Sequence, residues 1–428
     1  MGEFWKRRPF ALLLLVFLFV QVALVSFLDS RQVSDARTYI ELAHASMQAG
    51  SLYPTAADKF SNFIFAPGYI NYLIGMFTLF GDNVRAVLYV NIILNVTLLL
   101  EVVFIAKALF GERVAGITAI GFCLYLTNYG VVMYTYTELL YCVLAYGALA
   151  LFLRRGGGKS FALAGVMIVL ANWVRPLAIV FIAAMFLIAF LHKIGWRKVG
   201  LFLSGAAATF LLIGTVTYSN LGTFNTTSTT SGYNLLMGAD DTADGRFNAN
   251  VFKDGATGDI PNRENLTFAE RDRYWKDHAI EWIKQHPLDY ALLIPKKLYY
   301  MYYKDAQFIA SLTGNRTNQD LEGKGMVTKF LFYATQGYNQ LFYLFLLSMA
   351  AYGSVKLLLR RDVRACILLA VVVLGTGMTI ITVGEQRYHY PYLMVLLILA
   401  AYSVQSLIDA RGAKHSQEVS VNVDANQS

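Results

Sequence analysis

Cysteine and charge are both scarce in this sequence of 428 residues. Its three cysteines all lie inside apolar runs, which argues against a disulfide framework or a cysteine-bound metal cluster. Charged residues make up 15% of the chain and hydrophobic residues 56%, a balance that soluble globular domains do not have. The composition therefore predicts a polytopic membrane protein.

Signatures of soluble nucleotide and metal chemistry are missing as well. The sequence has no Gly-rich phosphate loop, zinc-binding pattern, nucleophile elbow or redox cysteine pair. The net charge of +8 does not indicate nucleic acid as a partner, because the lysines and arginines form small groups between apolar runs. We therefore expect membrane lipids as partners and no nucleic acid. Whether a divalent metal ion assists is left open.

Eleven apolar runs follow one another along the chain, and one of them is short. The run 69–80 would reach only about 18 Å as a helix, against roughly 30 Å of hydrocarbon in a bilayer, so we interpret it as an interfacial helix. The sequence then predicts an all-α membrane fold with about ten transmembrane helices, plus interfacial helices in two large extracytoplasmic loops. The predicted spans lie near 10–28, 86–106, 114–133, 137–153, 161–174, 177–191, 199–218, 336–357, 365–383 and 391–408.

The interpretation of run 69–80 also places every basic cluster on one side of the membrane. The positive-inside tendency makes that side cytoplasmic. The clusters are Lys6-Arg7-Arg8, Lys107/Arg113, Arg154/Arg155/Lys159, Lys193/Arg197/Lys198, Lys356/Arg360/Arg361/Arg364 and Arg411/Lys414.

Two long polar segments fall on the opposite, outer side and divide the chain. We expect a transmembrane module at 1–218 that includes the first outer loop 29–85, a large outer loop at 219–335, C-terminal transmembrane helices at 336–408 and a cytoplasmic tail at 409–428, disordered from Ala413.

The large outer loop carries two predicted helices. From Thr267 to Gln285 charged and apolar residues alternate at a helical period, and His286-Pro287 ends the pattern. A second run, from Asp289 to Tyr303, mixes Lys296 and Lys297 with tyrosines, a combination that suits a headgroup interface.

Candidate chemistry is confined to four polar places at the outer ends of helices. Asp35 opens a short amphipathic helix whose apolar residues are Ala36, Tyr39, Ala43 and Met47. The other three places are Glu138 at the head of a predicted span, Arg175 before Pro176, and Glu385 to Tyr390 at the entrance to the last span.

Each of these residues also has a purely structural interpretation. Ser34 or Asp35 could serve only as a helix cap, and Glu138 only as a carboxylate favoured by a helix dipole. Arg175 could extend to a lipid headgroup, and Arg387 could anchor the membrane surface beside Tyr388 and Tyr390. Each residue taken alone fits both the structural and the functional interpretation.

Taken together, the polar stretches resemble the GT-C superfamily of membrane glycosyltransferases. The bacterial branch with protein O-mannosyltransferases and aminoarabinose transferases is the most similar. The stretches occur in an order that covers nearly the whole chain, and seven helices precede the large outer loop, as in the module that the superfamily shares. They are 35–43, 66–69, 137–140, 171–176, 232–235, 271–287 and 385–388.

This resemblance implies an enzyme of the bacterial inner membrane whose active site faces outward. It would move a sugar from a polyprenyl-phosphate donor to a hydroxyl group of a lipid, glycan or protein acceptor. The resemblance implies Asp35 as the catalytic base. It also implies a catalytic role for Glu138, which stands where several relatives carry a second acidic residue. The segment 1–218 would then be the catalytic module.

The chemistry of such a transfer needs few groups. A sugar esterified to phosphate already has a good leaving group, so one carboxylate to deprotonate the acceptor and one cation on the departing phosphate suffice. We expect Arg387 to be that cation, because a guanidinium offers a planar fork of donors, with Lys296 and Lys297 as alternatives. A single displacement inverts the anomeric carbon. The residues expected to support the site are Tyr39, Glu41, Arg175, Tyr388 and His389.

Two other classes of protein remain alternatives. A secondary transporter would carry charges midway along its helices and an internal repeat; only Glu101 is a deep charge, and we find no repeat. A non-catalytic lipid-binding or scaffold protein would tolerate Asp35→Asn. A fold that brings Asp35, Glu138 and Arg387 into one outward cavity would favour the enzyme.

Overall fold

The computed structural model describes residues 8–28, 31–53, 64–154, 156–314 and 321–425, with side chains up to Gly412. These ranges contain α-helices and short 3₁₀ turns, and no strand occurs within them. Three of the residues assigned to the cytoplasmic side, Lys6, Arg7 and Arg155, lie outside the described residues, as does the side chain of Lys414.

Seventeen α-helices follow one another along the described chain. They are α1 (Arg8–Phe27), α2 (Asp35–Ala49), α3 (Pro67–Phe80), α4 (Val84–Phe110), α5 (Glu112–Leu124), α6 (Thr127–Gly130), α7 (Thr137–Leu153), α8 (Gly158–Val174), α9 (Ala178–Leu191), α10 (Trp196–Leu221), α11 (Ser231–Met237), α12 (Phe268–Gln285), α13 (Pro287–Tyr302), α14 (Ile309–Leu312), α15 (Met326–Leu359), α16 (Val363–Ile381) and α17 (Tyr390–Ala425).

Helix forms at each of the ten predicted spans, which confirms the all-α membrane fold. Among the described residues, six helices are long and apolar enough to cross a bilayer, namely α1, α4, α10, α15, α16 and α17 with the turn before it. The helices α7, α8 and α9 are apolar but have only 17, 17 and 14 residues. The predicted interfacial helix, α3, has 14 residues.

The run 114–133 is not the single helix that the sequence predicts. Helix α5 ends at Leu124, and the chain bends by 62° into the helical segment Thr127–Met133. The Asp305 carboxylate stabilises this break, because it accepts hydrogen bonds from the hydroxyl groups of Tyr125 and Thr127. Asn339 donates its amide to the Asp305 backbone carbonyl at 2.8 Å. The loop 219–335 is thus anchored inside the helix bundle by buried polar groups.

Small residues let the short helices pack closely. At the crossing of α8 and α10, a Cβ added to Gly165 would lie 2.0 Å from the Phe202 carbonyl oxygen. Only glycine fits this backbone-to-backbone approach, a packing mode that is common between helices in membranes. Helix α8 is therefore fixed between α7 and α10, which sets the position of the residue that follows it, Arg175.

Charged groups mark one end of the bundle. Arg113, at the start of α5, pairs with Asp409 of α17 at 3.6 Å, and Arg364, at the start of α16, donates to the Leu109 carbonyl at 2.7 Å. Helix α17 thus runs from the turn that contains Arg387 to this basic end. The groups around Lys107, Arg113 and Arg364 therefore lie at the end of the bundle opposite to Arg387.

The helices outside the spans follow the predicted pattern with local differences. Helix α2 starts at Asp35, and Ser34 occupies the N-cap position, as predicted, but its side chain makes no cap hydrogen bond and its φ is 54°. Met47, predicted on its apolar face, is exposed. Helix α12 is confirmed, with a capping box between Thr267 and Glu270.

Two boundaries differ from the prediction. Helix α13 begins at Pro287, two residues earlier than the predicted run, with Pro295 inside it. Helix α17 continues through Ala413 to Ala425, where the sequence predicts a disordered tail.

Candidate functional site

An ion pair between the two ends of the chain forms the centre of the candidate site. A guanidinium nitrogen of Arg387, Nη2, contacts Oδ2 of Asp35, 352 positions away in the sequence. Asp35 is the first residue of α2, and Arg387 belongs to the 3₁₀ turn Gln386–His389 that leads into α17. The side chains are 25% and 19% exposed, so the pair is partly shielded from solvent.

A second ion pair lies directly beside the first. Arg175 donates to Glu138 Oε1 at 2.6 Å, and Nε of Arg387 lies 4.0 Å from the same oxygen. The Glu138 side chain is only 1% exposed. Four charges of alternating sign therefore run in the order Asp35, Arg387, Glu138, Arg175. The Arg175 side chain is 13% exposed and bound to a buried carboxylate, which favours a role inside the site over contact with a lipid headgroup.

Aromatic rings hold the two guanidinium groups from the side. The ring centroid of Tyr388 lies 5.1 Å from Cζ of Arg175 and 5.5 Å from Cζ of Arg387, and Tyr136 lies 5.4 Å from Arg387. Cations are attracted to aromatic faces at such distances, more strongly where water is excluded. Tyr388 is therefore in contact with both arginines.

Tyr39 lies one turn after Asp35 on α2 and is buried against Phe65 and Tyr69. Burial, together with the negative charge of Asp35, raises the pKa of Tyr39 well above its ordinary value. Its phenol is thus a neutral hydroxyl group at neutral pH, on the wall of the site.

Two cavities meet at the central ion pair. The first, called here the polar cavity, has a volume of about 470 Å³ and contains Asp35, Glu385 and a set of hydroxyl and amide side chains, among them Ser34, Thr38, Thr230, Asn234 and Gln307. The second, called the apolar cavity, has a volume of about 460 Å³. Its apolar lining includes Val174, Pro176, Leu177, Leu235, Met378 and Ile381, and its charged lining includes Glu138 and Arg175.

Arg387 and Tyr388 line both cavities. One guanidinium group can therefore contact a ligand in either space. The fold brings Asp35, Glu138 and Arg387 together at this junction. This arrangement favours an enzyme over a secondary transporter or a non-catalytic lipid-binding protein.

The two lysines predicted as alternative phosphate ligands lie elsewhere. Lys297 is buried, and its ammonium group donates to the carbonyl oxygens of Gly238 at 2.7 Å and Ile381 at 3.3 Å. Burial lowers the pKa of Lys297 to about 8. Lys296 is exposed, and neither lysine lines the two cavities. Lys297 instead binds the carbonyl ends of α11 and α16, which favour a positive charge.

Two of the predicted supporting residues also point away from the junction. Glu41 pairs with Arg37 at 2.9 Å on the surface of α2. His389 is stacked between Tyr302 and Tyr343, with Nδ1 2.5 Å from the Met301 carbonyl oxygen and Nε2 3.3 Å from Asp305. His389 therefore connects the turn that carries Arg387 to the buried polar group around Asp305.

Sequence reasoning gave no individual role to two ionisable residues that line the cavities. Glu385 lines the polar cavity and accepts a hydrogen bond from the Phe247 backbone N–H at 3.1 Å. Glu385 belongs to the polar stretch before the last span, so its position in the sequence already indicated a place in the site. Lys276 lines the apolar cavity from α12. The position of Lys276 at a cavity could not be predicted, because a charged residue on an amphipathic helix normally faces solvent.

Within the described ranges, no group of three or more His, Cys, Asp or Glu side chains is placed to hold a metal ion. The carboxylates of Asp35 and Glu138 are each bound by an arginine. We therefore assign no metal ligands.

Comparison with known proteins agrees with the resemblance seen in the sequence. Residues 66–218 match the profile of the family described as dolichyl-phosphate-mannose-protein mannosyltransferase. This matched region contains Glu138 and Arg175. A sequence search finds no curated protein that matches the chain.

The fold is similar to that of a solved archaeal oligosaccharyltransferase. The apo oligosaccharyltransferase from Archaeoglobus fulgidus matches with a TM-score of 0.53 and 12% identity, over 98% of this chain and 53% of that chain. Archaeal oligosaccharyltransferase AglB from Archaeoglobus fulgidus, in complex with an inhibitory peptide and a dolichol-phosphate, matches with a TM-score of 0.51 and 13% identity, over 97% and 52%. Apo ArnT from Cupriavidus metallidurans gives a TM-score of 0.40 at 14% identity, over 92% and 76%.

The chain spans about half the length of the archaeal enzyme. The GT-C resemblance is thus confirmed by the family match over 66–218 and by the fold over almost the whole chain.

Proposed function

We propose that this protein is an inverting glycosyltransferase that moves a sugar from a polyprenyl-phosphate donor to an acceptor hydroxyl group. The observation that carries the proposal is the position of Arg387 between the polar and the apolar cavity, in contact with Asp35. The matched family is named for a dolichyl-phosphate-linked mannose donor, and the archaeal relative was solved with a dolichol-phosphate, which supports a lipid-phosphate donor.

The two cavities suit the two substrates. The apolar cavity offers hydrocarbon contacts for the first isoprene units and arginine side chains for the phosphate. The polar cavity offers hydroxyl, amide and carboxylate groups to an acceptor from a lipid, a glycan or a protein. The sugar would then lie at the junction, between Asp35 and Arg387.

The reaction follows from these positions. The Asp35 carboxylate accepts the proton of the acceptor hydroxyl group, and the acceptor oxygen forms a bond to the anomeric carbon. The bond between that carbon and the phosphate oxygen breaks, and the phosphate leaves with the electron pair. Arg387 stabilises the charge that develops on it. One displacement on the anomeric carbon gives inversion.

We assign Glu138 a positioning role in this scheme. Its carboxylate accepts the hydrogen bond of Arg175 and lies 4.0 Å from Arg387, so it holds both guanidinium groups in place. The module 1–218 supplies Asp35, Glu138 and Arg175, and the 336–408 segment supplies Arg387. The loop 219–335 covers the apolar cavity through α11 and α12, and we propose that it lies against the membrane surface.

We propose that the site faces outward from a bacterial inner membrane. The basic residues Lys107, Arg113 and Arg364 lie at the end of the bundle opposite to Arg387, and clusters of this kind are retained in the cytoplasm. Single cysteines at the exposed positions Gln48 and Arg197, in a Cys366→Ala background, test this orientation. We expect a membrane-impermeant maleimide to label Gln48→Cys in intact cells and Arg197→Cys only after permeabilisation. The reverse pattern would refute the orientation.

A transfer assay separates the enzyme from its alternatives. Purified protein in nanodiscs is mixed with a panel of labelled polyprenyl-phosphate sugars and with membrane extract as the source of acceptors. We expect one donor to lose its sugar to an acceptor with inverted configuration, as NMR of the product would show. Lipid-phosphate binding without transfer for any donor would favour the lipid-binding alternative. Movement of an unmodified solute by proteoliposomes would favour a transporter.

A further inference from the structure

Two loops that are hydrogen-bonded to each other form the rim of the polar cavity. The Gly384 N–H donates to the Gly245 carbonyl at 2.9 Å. The Phe247 N–H donates to the Glu385 carboxylate at 3.1 Å. Gly245 has φ 96°, a left-handed conformation that favours glycine. These contacts fix Phe247 beside Glu385, two residues before Arg387.

The Phe247 ring lies at this rim in contact with solvent. Phe247 lines the polar cavity but is 57% exposed. Among the residues that the structure describes, no aromatic side chain stacks on its ring. A large apolar ring at the mouth of a polar cavity is available to a ligand. Its flat face can cover the C–H face of a sugar ring, which is apolar although the edge of the sugar carries hydroxyl groups.

Two polar side chains of the same cavity have hydrogen-bonding capacity to spare. Glu385 is half-buried, and no cation forms an ion pair with it in the described part of the chain. The Asn234 side-chain amide makes no hydrogen bond to the described residues. An ionised carboxylate accepts hydrogen bonds, and an amide both accepts and donates them. Neighbouring hydroxyl groups of a sugar match both requirements.

The rest of the lining disfavours other acceptors. Leu42 is the one aliphatic side chain among the described residues of the polar cavity, which therefore offers little contact to a lipid tail. No strand occurs in the described ranges, so an extended peptide has no sheet edge to join. An anionic group would be repelled by Glu385, and Arg387, the one cation of the described lining, is already paired with Asp35.

We propose that the polar cavity binds a neutral sugar residue as the acceptor, with Phe247 covering one face of the ring and Glu385 accepting hydrogen bonds from its hydroxyl groups. This inference rests on the proposed function and names the acceptor class within it. Asp35 lines the same cavity, so the base can reach one hydroxyl group while Phe247 and Glu385 hold the ring. Both are binding residues and take no part in the chemical step.

The first measurement identifies the group that receives the sugar. The protein in nanodiscs transfers a labelled sugar from its polyprenyl-phosphate donor to membrane extract, and the product is partially hydrolysed with acid. We expect a labelled disaccharide whose second residue carries neither a phosphate nor a carboxyl group. A label bound to serine or threonine, to glycerol, to a phosphate group or to an acidic sugar would overturn the inference. Extraction with chloroform and methanol separates a glycolipid acceptor from a free glycan.

The second measurement tests the two residues. We expect Phe247→Ala and Glu385→Gln each to raise, by about 10-fold, the concentration of extract that gives half-maximal transfer, because each loses part of the acceptor binding. The rate at saturating extract should stay unchanged. So should the Kd for undecaprenyl phosphate, measured by quenching of tryptophan fluorescence. Phe247→Tyr keeps the ring and should restore most of the acceptor affinity. Glu385→Gln keeps an oxygen for the Phe247 N–H, so the rim persists.

Each substitution has a matched control. Phe330→Ala removes an aromatic ring that is 68% exposed and lines neither cavity. Glu281→Gln removes an exposed carboxylate that accepts one hydrogen bond, from Gln285 at 3.2 Å, and also lines neither cavity. We expect both controls to show the wild-type half-saturating concentration of extract.

The failures of the two proposals are distinguishable. A wild-type half-saturating concentration for Phe247→Ala or Glu385→Gln would overturn the inference and leave the proposed function standing. An equal increase for the control variants would also overturn it, because the effect would then not belong to the cavity. Weaker binding of undecaprenyl phosphate by either cavity variant would show that the rim serves the donor instead. No transfer from any donor by the wild-type protein would contradict the proposed function itself.

Discussion

Replacing Asp35 by Asn is expected to lower turnover by about 10²–10⁴-fold while donor binding is retained. Loss of a general base typically costs this much, and the amide keeps the shape of the carboxylate but cannot accept the proton. Donor binding should not weaken, because Arg387 loses its partner Asp35 and its guanidinium becomes fully available to the phosphate. The measurements are the Kd for undecaprenyl phosphate and single-turnover transfer at saturating donor.

Helix α2 itself provides the control for this substitution. Glu41→Gln removes a carboxylate less than two turns away that pairs with the exposed Arg37 and lines neither cavity. We expect it to transfer sugar at the wild-type rate. A near wild-type rate for Asp35→Asn would show that the base lies elsewhere, and Glu138→Gln would then be the next variant to measure.

The meeting of Asp35, Glu138 and Arg387 could be predicted because each stands where an apolar run stops. Polar residues at the same end of neighbouring helices share one layer of the molecule, and a carboxylate and a guanidinium in that layer attract each other. Helix α12 could be predicted equally well, because its start, its period and its end are all local features of the sequence.

The parts that could not be predicted depend on contacts between distant residues. The break after α5 is stabilised by Asp305, 180 positions away from Tyr125. Lys297 has the composition of a headgroup ligand, but the fold buries it against the carbonyl ends of α11 and α16. Lys276 is one of several charged residues on α12, and only the packing of α11 at Gly232 places it at a cavity. Local patterns carry no information about such partners.

The contact between Asp35 and Arg387 links donor binding to the base. A phosphate that binds Arg387 competes with Asp35 for the same donors, so the donor would loosen the ion pair in which the base is held. Glu138, at 4.0 Å, remains to hold the guanidinium in place. This arrangement predicts that the donor binds before the acceptor is deprotonated, and it makes Arg387 the residue on which both steps depend.

Replacing Arg387 by Ala is therefore expected to reduce donor affinity and turnover together. A lost hydrogen bond to a charged group costs about 1.5–3 kcal/mol, which corresponds to a roughly 10- to 150-fold higher Kd. Loss of a donor to the developing charge typically lowers kcat a further 10²–10³-fold. Arg387→Lys should recover part of the affinity but little of the rate, because an ammonium group lacks the planar fork of donors that matches the oxygens of a departing phosphate.

The Arg387 measurements use the same binding and single-turnover assays. Arg37→Ala is the matched control, since it removes an arginine that also pairs with an acidic residue but is 73% exposed and lines neither cavity. Removal of Arg387 leaves Asp35 without its ion-pair partner, which can destabilise the protein. The thermal unfolding midpoint of each variant is therefore measured to show that the variant is folded. If folded Arg387→Ala binds undecaprenyl phosphate with wild-type affinity, the phosphate does not lie at the junction. The donor would then have to be placed away from Asp35, and a single displacement at this site would be excluded.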